Sequence, residues 1–192
     1  MIATTLRLNF EPIGLHHTPL FHGLNADPQV MRYFPAPLSA GETDAFIARI
    51  VAHRARHGFG LEAGFLAATY TFAGFIGLLR DEFDALVTPA VEVGWRLAPE
   101  FWGQGLAPEG TRAALACGFE ELGFGEIMSF TACANEAYIR VMEKIGMQHN
   151  PHDDFDHPAL ADDDRLRAHL FYRITAQEFH QPLVTGAHDE QD

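Results

Sequence analysis

The chain has 192 residues, of which 47% are hydrophobic and 20% charged, and these values suit one globular domain with a sizeable core. Acidic residues outnumber basic ones by 26 to 13, and the formal net charge of −13 disfavours nucleic acid as a partner. Two isolated cysteines, Cys117 and Cys133, are typical of free thiols in a reducing cytoplasm, and no apolar run reaches the length of a membrane span. We therefore expect a cytoplasmic protein with no membrane partner, one domain over residues 1–180 and a frayed polar tail over residues 181–192.

The predicted secondary structure is a series of short amphipathic segments. Apolar residues recur with a period of two in the strands and about 3.6 in the helices. Ser39 and Glu42 form a capping box ahead of one helix, and Gly58 is a typical helix stop. Asp27 and Pro28 are a typical cap and first residue of another short helix. In chain order the patterns predict strand 4–10, helix 13–25, helix 39–57, strands 61–70, 72–80 and 91–97, helix 108–121, strand 126–132, helix 135–146 and strand 167–175.

Residues 91–118 combine a strand, a glycine-containing turn and a helix. Pro99 ends the strand, and Pro108 suits the first turn of the helix because that turn does not need its missing N–H. The first-turn N–H groups of a helix have no internal partner, and the helix dipole makes that end partly positive. This arrangement favours an anion such as phosphate. A plain strand–helix connection has the same pattern, and the glycine spacing differs from the dinucleotide fingerprint.

The residues around this turn make the interpretation more specific. The string W-R-L-x-P-E-x-W-G-Q-G-x-A, residues 95–107, resembles the acetyl-CoA-binding segment of the GNAT N-acetyltransferase superfamily, in its RimJ/RimL-like branch. Gly105 and Ala107 match the last two positions of the family pattern, whereas Trp102 stands where the family has Arg or Gln. The resemblance therefore implies that pyrophosphate binding depends mainly on main-chain N–H donors.

A second motif follows the predicted fifth strand. Asn135 and the string R-V-M-E-K-x-G-M, residues 140–147, resemble the family segment in which the asparagine contacts coenzyme A or a water beside it. Asn135 also fits an ordinary helix N-cap. Arg140, Lys144 and Arg112 are candidate partners for the phosphates, or ordinary surface charges. Together the two motifs imply that the coenzyme is bound by Trp95, Arg96, Leu97, Trp102, Gly103, Gln104, Gly105, Leu106, Ala107, Pro108, Glu109, Asn135, Arg140 and Lys144.

Glu92 and Tyr138 are the candidate catalytic residues. The resemblance places an acidic residue at the start of the E-V-G-W strand, where it is often proposed as general base; an ion pair with Arg96 is the alternative. Met142 replaces the tyrosine that serves as general acid in many GNAT enzymes, and Tyr138 stands where RimJ/RimL-like proteins often carry serine. One helical turn separates Tyr138 from Asn135, so we expect the phenol to protonate the leaving thiolate.

The acceptor cleft is less marked in the sequence. Tyr33 and Phe34 lie in the region that borders the acceptor amine in GNAT relatives, and core packing is their alternative role. Phe83, in the acidic loop 81–89, is a third candidate for this cleft. The stretch 149–166 is rich in histidine and aspartate, but a similar run recurs in the family's loop before the last strand. We therefore expect no metal.

The resemblance implies a mixed α/β fold of the GNAT type. Its central sheet would be twisted and mostly antiparallel, with six to seven strands, about four flanking helices, and splayed fourth and fifth strands. The expected function is direct transfer of an acetyl group from acetyl-CoA to a primary amine, on a protein N-terminus or a small molecule, in a ternary complex. The alternative is a noncatalytic acyl-CoA-binding sensor, since positions 102, 138 and 142 depart from the family. We expect a monomer or homodimer.

Overall fold

A computed structural model describes residues 1–80 and 90–181. Phe83, the rest of the acidic loop 81–89, and the tail from residue 182 lie outside the described residues. Cys117 and Cys133 are both free thiols, as predicted. Within the described residues, no helix combines the length and hydrophobicity that crossing a bilayer requires.

The described residues form one mixed sheet with the order β1-β2-β3-β4-β5-β8-β6, in which β7 pairs with β8. All pairs are antiparallel except β4 with β5. This confirms the mostly antiparallel α/β architecture, although two short strands bring the total to eight. The strands are β1 Leu8–Pro12, β2 Leu61–Leu66, β3 Phe72–Arg80, β4 Val91–Leu97, β5 Glu126–Ala132, β6 Gln148–His149, β7 Phe155–Asp156 and β8 Ala168–Thr175.

Helices cover both faces of this sheet. Ser39 and Glu42 form the predicted capping box, and Gly58 ends that helix in the left-handed region at φ +80°. Asn135 caps its helix through its side chain, and Gly146 follows the helix at φ +92°. The helices are α1 Thr18–Ala26, α2 Ala40–His57, α3 Leu106–Ala116, α4 Glu136–Lys144 and α5 Ala176–Phe179, and a π-helical turn, Cys117–Glu121, extends α3.

Several predicted boundaries are wrong. Strand β2 ends at Leu66 instead of residue 70, and α1 begins at Thr18 instead of residue 13, after a short 3-10 turn. Strand β1 begins at Leu8 because a turn closes before it: the Thr5 N–H donates to the Leu8 carbonyl at 2.9 Å, and the Thr5 hydroxyl accepts the Leu8 N–H at 3.0 Å. Asp27 ends α1 instead of starting a helix, and its carboxylate accepts the Gln29 N–H at 2.7 Å in a run of turns. Helix α3 begins at Leu106, two residues before Pro108, because Gly105 adopts φ +76° as its N-cap.

Two hydrophobic clusters hold the layers together. One cluster packs α3, α4 and their side of the sheet around Val93, Leu106 and Met142. The other packs α1 and α2 on residues such as Phe21 and Phe75. Gly110 permits close packing of α3, since a Cβ there would lie 2.4 Å from Ile76 Cδ1. The N-terminus of α3 is therefore held tightly against the sheet.

Strands β4 and β5 separate along their length, as predicted. They share one register pair, Glu92 with Met128, whereas β3 and β4 share seven. The Ser129 hydroxyl donates to the Val93 carbonyl at 2.9 Å. Beyond this contact, Trp95 and Leu97 on β4 and Thr131 on β5 line a shared cavity. The splay thus opens the middle of the sheet.

Candidate active site

A cavity of about 1180 Å³ occupies the gap between β4 and β5. Its walls come from both faces of the sheet, because the gap connects them. The side toward α3 and α4, called the α3 half, includes Trp102, Gly103, Gly105, Leu106, Ala107, Pro108, Asn135, Tyr138, Arg140 and Lys144. The side toward α1 and α2, called the α2 half, includes Tyr33, Phe34, Phe46, Phe75, Glu92 and Arg96.

The N-terminus of α3 opens into the α3 half. Gly105 is the N-cap, and Leu106, Ala107 and Pro108 form the first turn. The N–H groups of Leu106 and Ala107 have no intrahelical acceptor in such a turn, and Pro108 has no N–H to satisfy. Together with the helix dipole they form a small donor site suited to a phosphate oxygen.

An ion pair outside the cavity holds this turn in place. The Arg7 guanidinium donates to the Glu109 carboxylate at 2.6 Å and to the Gln104 carbonyl at 2.7 Å. The Thr5 hydroxyl and the Arg7 N–H also donate to this carboxylate, at 2.6 and 2.9 Å. Burial pushes the pKa of Glu109 upward, but these donors and the Arg7 charge outweigh it and lower the pKa.

Two residues predicted to bind the coenzyme face away from the cavity wall. Glu109 points to Arg7, and the Gln104 side chain donates to the Glu100 carbonyl at 2.7 Å. Both therefore stabilise the turn through its outer side. Arg7 was missed in the sequence, since nothing local marks a residue that contacts a turn 97 positions away.

The open edge of β4 faces the gap. The Trp102 indole N–H donates to the Leu97 carbonyl at 2.7 Å, which fastens the turn to the strand. The Trp95 N–H is directed toward the Tyr138 hydroxyl and opposes the rise in its pKa. Because backbone groups alternate in direction along a strand, the Leu97 N–H points to the same side as that of Trp95. This edge can offer main-chain donors to a ligand in the gap.

Helix α4 supplies the opposite wall of the α3 half. The Asn135 side chain accepts the Tyr138 N–H at 3.4 Å and donates to the Thr131 hydroxyl at 3.0 Å, so it ties α4 to β5. Arg140 pairs with Glu136 at 3.2 Å on the exposed surface. Arg140 and Lys144 line the same cavity and add positive charge to its wall.

Tyr138 occupies the point where the strands diverge. Its ring stacks on Trp95, with centroids 3.8 Å apart and planes 7° apart. Its hydroxyl lies 3.3 Å from the Ser129 hydroxyl, which already donates to Val93, so Tyr138 donates in this bond. Burial raises the pKa of Tyr138, and the charge of Glu92 adds to the rise. The phenol therefore stays neutral at physiological pH.

Glu92 and Arg96 lie on the other face of β4, in the α2 half. Both line the cavity, and Gly94 lies between them on the same face. Val93 and Leu97 belong to the core cluster on the opposite face of β4, and Trp95 packs against it, so Glu92 points away from all three. The predicted coenzyme ligand Arg96 is here directed away from Trp95, toward α1 and α2.

The Arg96 guanidinium is packed among aromatic rings. It lies 4.3 Å from the Phe34 ring centroid, 5.3 Å from that of Phe75 and 5.7 Å from that of Phe46. Its Nη1 donates to the Asn25 amide oxygen at 2.6 Å. Burial lowers the pKa of Arg96 to about 10, which still leaves it charged at neutral pH.

The segment before β8 contributes a wall that sequence reasoning missed. His169 and His157 line the cavity with their ring centroids 5.0 Å apart. The Nδ1 of His169 lies 3.0 Å from the Arg167 carbonyl and must donate to it, which leaves the Nε2 lone pair available. Burial lowers the pKa of His169, so the ring is neutral. The sequence signal for this wall was weak: His169 is a polar residue that alternates with the apolar residues of β8.

Among the described residues, one cluster has the composition of a metal site, Glu11 with His16 and His17. The Gly14 N–H donates to His17 Nδ1 at 3.2 Å, so the ring proton resides on Nε2, which faces Glu11 at 3.3 Å. A protonated Nε2 cannot ligate a metal ion. These hydrogen bonds instead connect β1 to the turn before α1.

Known proteins resemble this chain in sequence and fold. The model of the acetyltransferase (GNAT) domain family matches residues 7–148. The "FsC-acetyl coenzyme A-N(2)-transacetylase" of Aspergillus fumigatus is 33% identical over 152 residues, 76% of this chain and 64% of that protein. The chain thus spans less than two thirds of that relative's length.

Solved structures agree on the architecture. An acetyltransferase of the GNAT family from Bacillus anthracis has a TM-score of 0.75 at 22% identity, covering 93% of this chain and 100% of that one. Spermidine N-acetyltransferase from Vibrio cholerae, in complex with CoA and spermine, has a TM-score of 0.73 at 18% identity, covering 91% and 99%. RimL, a ribosomal L7/L12 alpha-N-protein acetyltransferase in complex with CoA, has a TM-score of 0.74 at 15% identity, covering 91% and 97%.

The splayed sheet, the donor-lined turn and the family match define the class of protein. The chain belongs to the GNAT acetyltransferase family.

Proposed function

We propose that this protein transfers an acetyl group from acetyl-CoA directly to the primary amine of a small molecule, within a ternary complex. The observation that carries the proposal is a single cavity with the α3 N-terminus at one side, the splay in the middle and an aromatic pocket at the other. A coenzyme bound at α3 and an amine bound near α2 would meet in the gap without a covalent enzyme intermediate. The W-G-Q-G turn supports the RimJ/RimL-like branch as its place in the family.

In this proposal the coenzyme occupies the α3 half. The diphosphate would lie on the main-chain donors of residues 105–107, and Arg140 and Lys144 would add charge from α4. The pantetheine arm would run between β4 and β5 past Asn135. The thioester carbonyl would accept the Leu97 N–H, or the Trp95 N–H once the Tyr138 hydroxyl turns aside.

Glu92 is the proposed base. A lysine-like amine has a pKa of about 10.4 and an α-amine about 7.7–8.0, so the ammonium must lose a proton before it attacks. Glu92 lines the cavity on the face of β4 that carries the aromatic pocket. It can take this proton directly or through a water. Its charge also helps to raise the pKa of Tyr138, and this interaction supports a position of the carboxylate near that hydroxyl.

Tyr138 is better suited to hydrogen bonding than to full proton transfer. A phenol with an ordinary pKa of about 10 is already a weaker acid than a thiol of about 8.5, so protonating the thiolate is uphill by about 2 kcal/mol. Burial of Tyr138 raises its pKa and increases that cost. We therefore propose that the hydroxyl stabilises the developing charge on sulfur, while the proton released by the amine completes the thiol.

The shape of the α2 half favours a small acceptor. The pocket is lined by side chains from α2, β3 and the turn after α1, including Phe34, Phe46 and Phe75. Such a pocket can enclose a small amine. Two proteins of similar structure support an amine as the acceptor: one is a spermidine N-acetyltransferase and the other an alpha-N-protein acetyltransferase.

The experiment is acetyl-CoA turnover across an amine panel, measured as thiol release. We expect release that depends on both enzyme and amine. A noncatalytic sensor is the alternative, because Trp102, Tyr138 and Met142 depart from the family pattern. Calorimetric binding of acetyl-CoA without release for any amine would establish the sensor. Calorimetry with propionyl- and succinyl-CoA would show whether another acyl group is preferred.

A further inference from the structure

We propose that the acceptor carries a carboxylate as well as its amine, and that Arg96 binds this carboxylate. The proposal rests on the proposed acetyltransferase function and names the chemical class of its acceptor. It assigns to Arg96 a role in acceptor specificity in place of the coenzyme role expected from the sequence.

The first argument is the hydrogen bonding of the guanidinium. The Asn25 amide oxygen accepts a hydrogen bond from Arg96 Nη1 at 2.6 Å. Arg96 Nε is buried and has no hydrogen-bond acceptor among the residues that the structure describes. Nε and Nη2 form the edge that holds a carboxylate through two parallel N–H donors. An unsatisfied buried donor is costly, so this edge is ready for an acceptor oxygen.

The second argument is that Arg96 is held in position. Asn25 is fully buried, and its amide nitrogen donates to the buried Thr43 hydroxyl at 3.5 Å. Asn25 belongs to α1 and Thr43 to α2, so both helices fix the oxygen that receives Nη1. A guanidinium fixed in this way loses little conformational entropy when it binds a planar anion.

The third argument is the cover over the site. The Phe34 ring lies 4.3 Å from the guanidinium carbon and is 41% exposed, so it can move aside as a ligand enters. Phe46 and Phe75 provide fixed apolar walls. The pocket therefore suits an acceptor with an apolar body between its two charged groups.

The fourth argument is the placement of opposite charges on one strand face. Glu92 and Arg96 lie four residues apart with Gly94 between them, a Cα separation of about 14 Å along a strand. The amine would approach the carboxylate end and the acceptor carboxylate the guanidinium end. A polyamine would instead bring a second cation to Arg96, which disfavours that class of acceptor.

The test uses three matched probes that differ in one group: 3-phenylpropanoate, 3-phenylpropanamide and 3-phenylpropylamine. Binding is measured by calorimetry on the whole chain in the presence of coenzyme A. We expect the carboxylate to bind about 10- to 100-fold more tightly than the amide, the range for charge-assisted hydrogen bonds. Equal binding of the carboxylate and amide, tighter binding of the amine, or no binding of any probe would each overturn the proposal.

Variants of Arg96 test whether this residue causes the preference for the carboxylate probe. Arg96→Gln should reduce the carboxylate-to-amide ratio to within about twofold, and Arg96→Lys should keep part of it because the charge remains. Arg49→Gln is the matched control, since Arg49 also lies over Phe46, at 5.8 Å, but is exposed and outside the cavity wall. Melting curves confirm that each variant is folded. A ratio unchanged in Arg96→Gln would rule out Arg96 as the anion site.

Turnover separates this inference from the function on which it depends. With 4-(2-aminoethyl)benzoate and 2-phenylethylamine as acceptors, Arg96→Gln should raise KM for the carboxylate-bearing amine alone, leaving KM for acetyl-CoA unchanged. Absence of thiol release with every amine would reject the proposed function, yet the probe titrations would still decide whether Arg96 selects a carboxylate.

Discussion

The two halves of the cavity are built from different parts of the chain. In the α3 half, the donors belong to the main chain of one continuous segment, from β4 through Gly105 to the first turn of α3. In the α2 half, the charged groups and rings come from side chains on α1, α2, β3 and β4. A main-chain site tolerates changes of side chain but not of backbone conformation, whereas a side-chain site can change its ligand through one substitution.

This difference agrees with the proposed division of labour. The coenzyme is the same for every acceptor, so a site made of backbone donors serves it regardless of the surrounding side chains. The acceptor defines the individual enzyme, and the α2 half recognises it through Arg96, Glu92 and the aromatic pocket. Variants in each half should therefore affect different kinetic constants.

The largest effect is expected from Glu92→Gln in the α2 half. Loss of the base should reduce kcat/KM about 10²- to 10³-fold near neutral pH. The deficit should shrink as pH rises toward the amine pKa, because the acceptor then deprotonates in solution. The pH–rate profile of thiol release measures both effects. Glu100→Gln, an exposed carboxylate beside the turn, is the control. A full rate in Glu92→Gln together with a lost rate in His169→Asn would move the base to His169.

The next effect should arise from Gly105→Ala in the α3 half. Gly105 has φ +76°, which costs a residue with a Cβ about 1–2 kcal/mol. We expect the Kd for acetyl-CoA to rise about 10-fold as the turn relaxes, with KM for the amine unaffected. Gly123→Ala is matched, because Gly123 has φ +71° and lies outside the cavity wall. Equal Kd values in the two variants would show that the turn does not bind the coenzyme through this conformation.

A smaller effect is expected for Tyr138→Phe, at the junction of the two halves. If the hydroxyl only hydrogen-bonds to sulfur, kcat should fall about 10-fold, with the Kd for acetyl-CoA within twofold. Stacking on Trp95 is retained by phenylalanine, which keeps the wall intact. Steady-state kinetics measures kcat, and calorimetry measures the Kd for acetyl-CoA. A loss beyond 100-fold with a changed basic limb of the pH profile would instead indicate full proton transfer from the phenol.

The smallest effect concerns the support of the α3 turn. Because the folded-state pKa of Glu109 is lowered, its stabilising contribution is present above the unfolded-state value and is lost as pH falls through the folded pKa. Between about pH 6 and pH 3 the melting temperature of the wild type should therefore fall about 2–4 °C more than that of Glu109→Gln. Glu136→Gln, which removes an exposed pair with Arg140, should follow the wild type. Identical profiles for all three proteins would show that the Arg7–Glu109 contact does not stabilise the fold.

Local sequence patterns were sufficient for most of the fold. Strand β4 and strand β5 have the predicted bounds, and the caps at Ser39 and Asn135 are present. Each of these features depends on a few neighbouring residues, through alternation or capping. The boundary of α3 was missed by two residues because Pro108 suits the third helical position as well as the first.

The sequence by itself determined the strand–turn–helix of residues 91–116 and the capped helix at Asn135, because main-chain conformation depends on contacts within a few residues. Only the tertiary structure decided the orientation of Arg96 toward Asn25 and the support of the turn by Arg7. Those contacts join residues 71 and 102 positions apart. A side chain's partner is set by which strands and helices the folded sheet brings together, and no local pattern records that choice.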